Sequence, residues 1–139
     1  MKVKAITIRQ PWAWAILAGH KGVENRGWST SYRGPLLVHA GLKVDRAGYS
    51  VLERIGVQVP QDLPSGVILG VVDLVDVGRW QGSRRGQAVL FDPYELADDP
   101  LAVGPVCWIL RNPRLLVRPI PCIGRRGLWG VELEPSDLC

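Results

Sequence analysis

A short apolar run near the start of the chain, followed closely by charged residues, sets the first condition on the fold. Residues 12–18 (WAWAILA) are apolar on every side of a helix, and Pro11 stands at a position favoured in the first helical turn. Gly19 follows as a natural C-terminal stop. Because such a helix has no polar face to offer to water, we predict that it is buried.

Three charged residues, Lys21, Glu24 and Arg26, stand just where this buried helix must end. Glu24 and Arg26 are two apart, so in an extended segment their side chains leave on the same face. Charges beside an apolar helix are costly unless they are paired or used on a ligand. The segment is therefore the leading candidate for a functional site. The alternative is a Lys21–Glu24 salt bridge that only fixes the turn.

Hydrophobic patterning predicts several strands and two short helices, an α+β fold. Gly70, inside the strongest strand, indicates a bend or bulge of the kind found in closed barrels. We therefore predict a small β-barrel with helices at its side or end. The second helix is expected from Asp45 to Ile55, with Asp45 as its N-cap and Ala47, Val51, Leu52 and Ile55 on one side. Strands are expected at residues 3–8, 22–28, 35–40, 66–77, 105–110, 114–118 and 128–133, with a turn at 111–113 and an irregular insertion at 79–103.

The composition fits one compact domain over residues 1–139, with 47% hydrophobic residues. No apolar run approaches the roughly 20 residues of a membrane helix, and basic residues interrupt residues 1–9, so we expect no signal peptide, no membrane partner and a cytoplasmic location. Three widely spaced cysteines form no C-x-x-C pair. Without a phosphate-binding loop, a dinucleotide fingerprint or zinc spacing, we expect no cofactor and no metal.

Arginine carries most of the positive charge, and the net charge is +4. Guanidinium groups match the geometry of phosphates and carboxylates, so the excess points to an anionic partner. The alternative is an arginine-rich proteome whose charged faces are merely solvated. The sequence does not indicate an oligomeric state.

Five motifs follow one another along nearly the whole chain: IRQPWA at 8–13, G-x-K-x-x-E-x-R at 19–26, YRGPLLVHA at 32–40, the strand at 66–77 and PC-x-G-x-x-GLW at 121–129. In this order they resemble the ASCH domain (activating signal cointegrator-1 homology), a branch of the PUA-like superfamily. The resemblance implies a PUA-like β-barrel with a cleft beside the first helix that binds RNA, another nucleic acid or a modified nucleoside. Some small bacterial members are amidohydrolases acting on N4-acetylcytidine and others are ribonucleases, so hydrolysis stays open as an alternative to binding.

The catalytic candidates, should the chain be an enzyme, are Lys21, Glu24 and Asp73. Lys21 would hold a phosphate or an oxyanion, or act as a base, and Glu24 would accept from a base amino group or act as an acid or base. The amidohydrolases carry a threonine, thought to be the nucleophile, at the place of Glu24, so this chain departs from that mechanism. They also use a carboxylate on the central strand, and Asp73 is the nearest match. Asp73 either faces the barrel, needing Lys21 or Arg26 as partner, or faces water.

The ligand-binding candidates join the same segment to residues elsewhere. Gln10 would read a base edge or cap the helix. His39 would contribute a proton or a phosphate contact, or be a satisfied structural histidine. Trp12 is predicted to line the cleft, with Trp14 in the core. The full set is Arg9, Gln10, Trp12, Lys21, Glu24, Arg26, His39, Arg125 and Arg126. Three hypotheses remain: an RNA- or nucleoside-binding module, a hydrolase of an N4-acylated cytidine or an RNA phosphodiester, and a small-ligand sensor or interaction domain.

Overall fold

A six-stranded mixed sheet and two α-helices make up the fold, in a computed structural model that describes residues 1–82 and 91–138. The predicted α+β class is confirmed. The strands are β1 (Lys2–Gln10), β2 (Val23–Arg26), β3 (Gly34–Val44), β4 (Val67–Arg79), β5 (Val106–Pro121) and β6 (Trp129–Glu132). The helices are α1 (Trp12–Leu17) and α2 (Arg46–Arg54), and Leu96–Asp98 and Pro135–Asp137 form single 3-10 turns.

The strand order is β2-β5-β4-β3-β1-β6. β1 runs parallel to β3, and the other neighbours are antiparallel. Within the described residues the edge strands β2 and β6 do not pair with each other, so the hydrogen-bonded ladder is not closed into a ring. The predicted irregularity at Gly70 is confirmed, because the β4–β5 register shifts between Ile68 and Gly70. A Cβ at position 70 would lie 2.5 Å from the Arg114 carbonyl oxygen, so only glycine permits this close approach.

The helix α1 is buried as predicted, and it organises the core. Ala13, Ala15 and Ile16 are almost fully buried, and Leu17 packs onto β4 beside Gly70. Burial of a side chain such as Ile16 contributes about 1.5–3 kcal/mol, which holds the helix despite its six residues. The main hydrophobic cluster adds strand residues around it, among them Ile6, Ile8, Leu36, Val38, Val72, Leu74 and Trp108. None of the helices in residues 1–82 and 91–138 is long and apolar enough to cross a bilayer.

The helix α2 packs against Trp12 through a glycine. A Cβ at Gly48 would lie 2.9 Å from the Trp12 ring, so the inner face of α2 is set by Gly48 and Leu52, both buried. The prediction that Ala47 and Ile55 share this face is wrong, because both are exposed. With Gly48 and Leu52 facing inward, Ala47 and Ile55 are left at the surface.

The two strands predicted at 105–110 and 114–118 form the single strand β5. Residues 111–113, which were predicted to be a turn between them, form a bulge within it, with Asn112 in the left-handed region (φ 55°). Val71 pairs with Arg114 and Asp73 with Arg111, so β5 contains one residue more than β4 across this step. The predicted insertion at 79–103 begins later, since β4 extends to Arg79. Its residues 83–90, which include two clustered arginines, lie outside the described part of the chain.

Candidate functional site

Two adjoining cavities lie along the C-terminal half of β1. The large cavity, about 970 Å³, is enclosed by β1, the end of β3 and the segment 121–127. The small cavity, about 600 Å³, is enclosed by β1, β2, the first residue of α1 and residues 100–103. Thr7, Arg9 and Arg26 line both cavities, so these three residues form the boundary between them.

Lys21, Glu24 and Arg26 form an ionic triad beside the small cavity. The Lys21 Nζ lies 3.0 Å from Glu24 Oε1, and the Arg26 Nη2 lies 2.9 Å from Glu24 Oε2. The Lys21 and Glu24 side chains are 4% and 10% exposed, and that of Arg26 is 25% exposed. Both the predicted salt bridge and the predicted convergence of the three charges are therefore present. The triad carries one positive charge in excess, held where solvent screening is weak.

Local backbone structure explains how the triad is assembled. The backbone N–H of Lys21 donates to the Ala15 carbonyl at 3.1 Å, which anchors Lys21 just beyond the end of α1. Glu24 and Arg26 lie on the short strand β2, which pairs with β5. Their spacing of two directs both side chains to one face, as predicted from the sequence. The stop after α1 and the two-residue period of β2 together bring the three charges to one point.

Trp12 forms a wall of the small cavity. Its indole Nε1 donates to Asp45 Oδ2 at 2.8 Å, and the Lys21 Nζ lies 5.2 Å from the ring centroid, a cation–π distance. Asp45 precedes α2 at the predicted N-cap position but forms no side-chain capping bond, because its carboxylate is committed to Trp12. Trp14 lies outside the lining and contacts His20, with ring centroids 5.2 Å apart. The two tryptophans point in different directions, as the helical spacing predicts.

Arg26 fixes the boundary between the cavities. Its Nη2 also donates to the backbone carbonyl of Thr7 at 2.7 Å, which ties β2 to β1. Its Nε is buried and has no hydrogen-bond partner among the described residues. A buried donor without a protein acceptor is rare and calls for an explanation, and a bound ligand group is one.

The large cavity is lined by cations and, within the described residues, by no acidic side chain. Trp28 lines this cavity and is 38% exposed. Its ring packs edge-to-face with that of Trp108, with ring centroids 4.8 Å apart, which fixes its orientation. Leu42 and Ile123 extend the apolar rim. The basic residues that line the large cavity are Arg9, Arg26, Lys43, Arg125 and Arg126.

His39 lies in the wall of the large cavity and is buried, with 1% of its surface exposed. Both of its ring nitrogens are hydrogen-bonded. Nε2 lies 2.8 Å from the Cys122 carbonyl oxygen, and Nδ1 lies 3.2 Å from Thr7 Oγ1. Since a carbonyl only accepts, the proton of the neutral ring is assigned to Nε2, and Nδ1 accepts from the Thr7 hydroxyl. Burial raises the pKa of the neighbouring Cys122 thiol, so that sulfur is a poor nucleophile.

Two of the sequence candidates lie outside this site. Gln10 is 1% exposed, its Oε1 accepts from the Trp14 backbone N–H at 2.9 Å and its Nε2 donates to the Pro64 carbonyl at 3.0 Å. The capping alternative is therefore the one observed. Asp73 lines neither cavity, and its Oδ1 lies 3.0 Å from Arg114 Nη2, so of its two alternatives the one with Lys21 or Arg26 as partner is not the one observed. The bulge in β5 is what brings an arginine of the neighbouring strand to Asp73.

Three further residues that line the large cavity, Thr7, Trp28 and Lys43, are not among the sequence candidates. No motif marks them, because they come from three separate segments that meet only in the folded chain. Asn25 is not among the candidates either, although its Oδ1 accepts from the backbone N–H groups of Val103 and Gly104 at 2.9 Å each. Asn25 thereby holds residues 100–103 at the mouth of the small cavity. An amide directly between Glu24 and Arg26 was the available signal.

Known proteins match this chain in sequence and in fold. Residues 6–103 match the family model of the ASCH domain. Over 135 residues the chain is 30% identical to Activating signal cointegrator 1 of Homo sapiens and to that of Mus musculus, covering 91% of this chain but only 22% of each relative. The crystal structure of ASCH from Zymomonas mobilis superposes with a TM-score of 0.50 over 96% of this chain and 89% of that one. A point mutant of the same protein gives 0.51 over 99% and 94%, and both are 16% identical to this chain, a likeness of fold.

Proposed function

Since this chain belongs to the ASCH domain family, we propose that it binds single-stranded RNA across its two adjoining cavities. The observation that carries the proposal is the lining of the large cavity, where the described residues supply five basic side chains and no acidic one around an exposed tryptophan. Proteins that bind single strands combine a positively charged groove for the backbone with aromatic faces on which bases stack. Both elements are present here on one surface.

The large cavity is suited to the phosphates. Arg125 and Arg126 are exposed on the segment 121–127, while Arg9 and Arg26 face them from β1 and β2. Guanidinium groups donate two parallel hydrogen bonds to a phosphate, and such contacts fix the register of a strand without reading its sequence. Trp28 supplies the stacking face, which contributes about 1–3 kcal/mol per base.

The small cavity is suited to a single base. Its volume of about 600 Å³ is in the range of small-molecule sites, and Trp12 gives it an aromatic wall. Each Glu24 oxygen has one cation partner and keeps a further lone pair for a base amino group. Lys21 keeps ammonium protons for a base carbonyl. The mixture of acidic and basic side chains distinguishes this cavity from the large one beside it, whose charged side chains among the described residues are all basic.

Fluorescence anisotropy with a labelled single-stranded RNA, measured over a series of salt concentrations, tests this proposal. The affinity of the wild type should fall steeply as salt rises. The double variant Arg125→Ser/Arg126→Ser should bind more weakly and lower the slope of log K against log salt by about 1.4, because each single-strand phosphate contact contributes about 0.7.

A matched control removes the same charge elsewhere. Arg54→Ser/Arg118→Ser takes away two exposed arginines that line neither cavity, so its salt slope should stay at the wild-type value. An equal loss in the control, or RNA binding by the wild type that is absent or independent of salt, would show that the lining of the large cavity is not a nucleic-acid surface.

Hydrolysis by Lys21 and Glu24 is not part of the proposal. Glu24 has no hydroxyl, and each of its carboxylate oxygens already accepts from a cation. The small cavity therefore contributes recognition to the proposed function.

A further inference from the structure

We propose that Thr7 and His39 are a nucleophile and its general base, and that they hydrolyse a carboxylic ester carried by a nucleotide in the large cavity. The nucleotide part of the substrate rests on the proposed function, whereas the ester chemistry rests on Thr7 and His39 alone. An activated nucleophile is recognised by a hydroxyl within hydrogen-bond reach of a base that is itself oriented by a third group. All three groups occur here.

The geometry of the pair follows from the sheet. Thr7 and His39 are partners in the parallel register of β1 and β3, and Oγ1 lies 3.2 Å from Nδ1. The Cys122 carbonyl, 2.8 Å from Nε2, holds the ring in the tautomer whose Nδ1 is free to take a proton. The edge contact of the ring with Trp129, at 5.7 Å, fixes its orientation further.

Gly124 packs closely against this pair. A Cβ at position 124 would lie 2.6 Å from Thr7 Oγ1 and 2.9 Å from His39 Nδ1. Gly124 is not among the residues with a positive φ, so the backbone conformation does not require glycine there. The requirement comes from the close approach, since any side chain would collide with the hydroxyl and the imidazole and displace them from each other.

Arg26 is placed to stabilise the charge that forms during attack. Its Nη2 donates to the backbone carbonyl of Thr7 at 2.7 Å, so the guanidinium is held beside the nucleophile's own residue. The guanidinium also lines the large cavity and its side chain is 25% exposed, so it is within reach of a ligand there. A preorganised donor is the usual means of stabilising an oxyanion.

The reaction balances with water as the only co-reactant. Thr7 Oγ1 attacks the ester carbonyl carbon while its proton passes to His39 Nδ1, and the negative charge forms on the carbonyl oxygen near Arg26. The bond to the nucleotide oxygen then breaks, and that oxygen takes the proton from Nδ1, leaving an acyl ester on Thr7. Water attacks this ester with His39 again as base, which releases the acid and restores the hydroxyl.

The experiment incubates the full chain with 3′-O-acetyl-adenosine 5′-monophosphate and follows acetate release and the mass of the protein. We expect one acetyl group on the peptide that contains Thr7. Thr7→Val and His39→Gln should reduce turnover at least about 100-fold, and Thr7→Ser, which keeps the hydroxyl, should restore it. Thr30→Val is the matched control, since the Thr30 hydroxyl bonds to the Tyr32 N–H and lines neither cavity.

Either of two results would overturn the inference: a wild type that neither releases acetate nor carries acetyl on Thr7, or a Thr7→Val variant that turns over like the wild type. Circular dichroism of each variant shows whether it is folded, and the Thr7→Ser result decides the matter where Thr7→Val does not fold. RNA binding by the wild type is measured separately. Ester hydrolysis without RNA binding would refute the proposed function alone, and RNA binding without hydrolysis would refute this inference alone.

Discussion

From the ionic triad we predict which of two substitutions, Glu24→Gln or Lys21→Met, lowers the stability of the fold more. Glu24→Gln removes the only anion of the triad and leaves Lys21 and Arg26, both on the same side of the small cavity, without a counter-charge. Lys21→Met removes one cation and leaves Glu24 paired with Arg26 at 2.9 Å. The first change creates two uncompensated charges and the second creates none. Glu24→Gln should therefore be the more destabilising substitution.

The magnitudes follow from burial. Lys21 and Glu24 are 4% and 10% exposed, so breaking their pair by removing the anion should cost about 3–5 kcal/mol. With an unfolding entropy of about 2.1 cal/mol/K per residue, each kcal/mol lowers the Tm of a 139-residue chain by about 3–4 °C. Glu24→Gln should thus melt about 10–17 °C below the wild type. Methionine has a volume similar to that of lysine, and the Glu24–Arg26 pair that remains is neutral overall. Lys21→Met should therefore lower the free energy of unfolding by only about 1–2 kcal/mol.

Differential scanning calorimetry and urea titration of both single variants and the double variant measure these costs. The double variant Lys21→Met/Glu24→Gln should lose less stability than the two single variants added together, because it leaves Arg26 as the only charge. The reasoning fails if Lys21→Met is the worse variant, or if Glu24→Gln costs less than about 1 kcal/mol, the cost expected of a solvated surface pair.

Two further predictions concern the loop and acid stability. Gly124→Ala should weaken RNA binding and lower Tm by about 3–10 °C without changing any charge. Its Cβ would lie 2.6 Å from Thr7 Oγ1 and displace the segment that carries the exposed arginines. Gly27→Ala, with no atom within 4 Å of its Cβ, is the control, and equal effects of the two substitutions would contradict the argument. The hydrogen bond from the Tyr94 hydroxyl holds the pKa of Asp76 below its usual 3.8. The stabilisation of the folded state by this hydrogen bond is therefore fully present above pH 3.8 and is lost as the pH falls through the lower pKa of folded Asp76. Tyr94→Phe should therefore lower the urea midpoint at about pH 7 more than at about pH 2, and an equal shift at both would show that this linkage is absent.

Local patterns were sufficient to predict the buried helix and the charged segment after it. The run at residues 12–18 has no polar face, and Gly19 ends it, so both the burial of α1 and the position of Lys21 follow from short-range chemistry. The two-residue spacing of Glu24 and Arg26 likewise fixes their common face. These features depend only on neighbours in sequence, which is why they could be predicted without knowledge of the tertiary contacts.

Features that depend on distant partners could not be predicted in the same way. Gln10 is satisfied partly by Pro64, and His39 by Cys122. Asp73 is turned away from the triad by the bulge at Asn112, in a segment whose Arg-Asn-Pro composition is typical of a turn. The register between β4 and β5 decides this outcome, and no local pattern encodes it.

The arrangement of charge along the chain explains why both cavities meet at Arg26. Glu24 neutralises one of the two cations of the triad, and of the three side chains only Arg26 is more than a tenth exposed. The excess positive charge therefore lies at the boundary between the large cavity and the small one, which Arg26 shares with Thr7 and Arg9. A base seated beside Trp12 would place its own phosphate at this boundary, within reach of the guanidinium and of Arg9. Recognition of a base in one cavity and of the backbone in the other would then be coupled through a single side chain, whose orientation is set by Glu24 and by the Thr7 carbonyl.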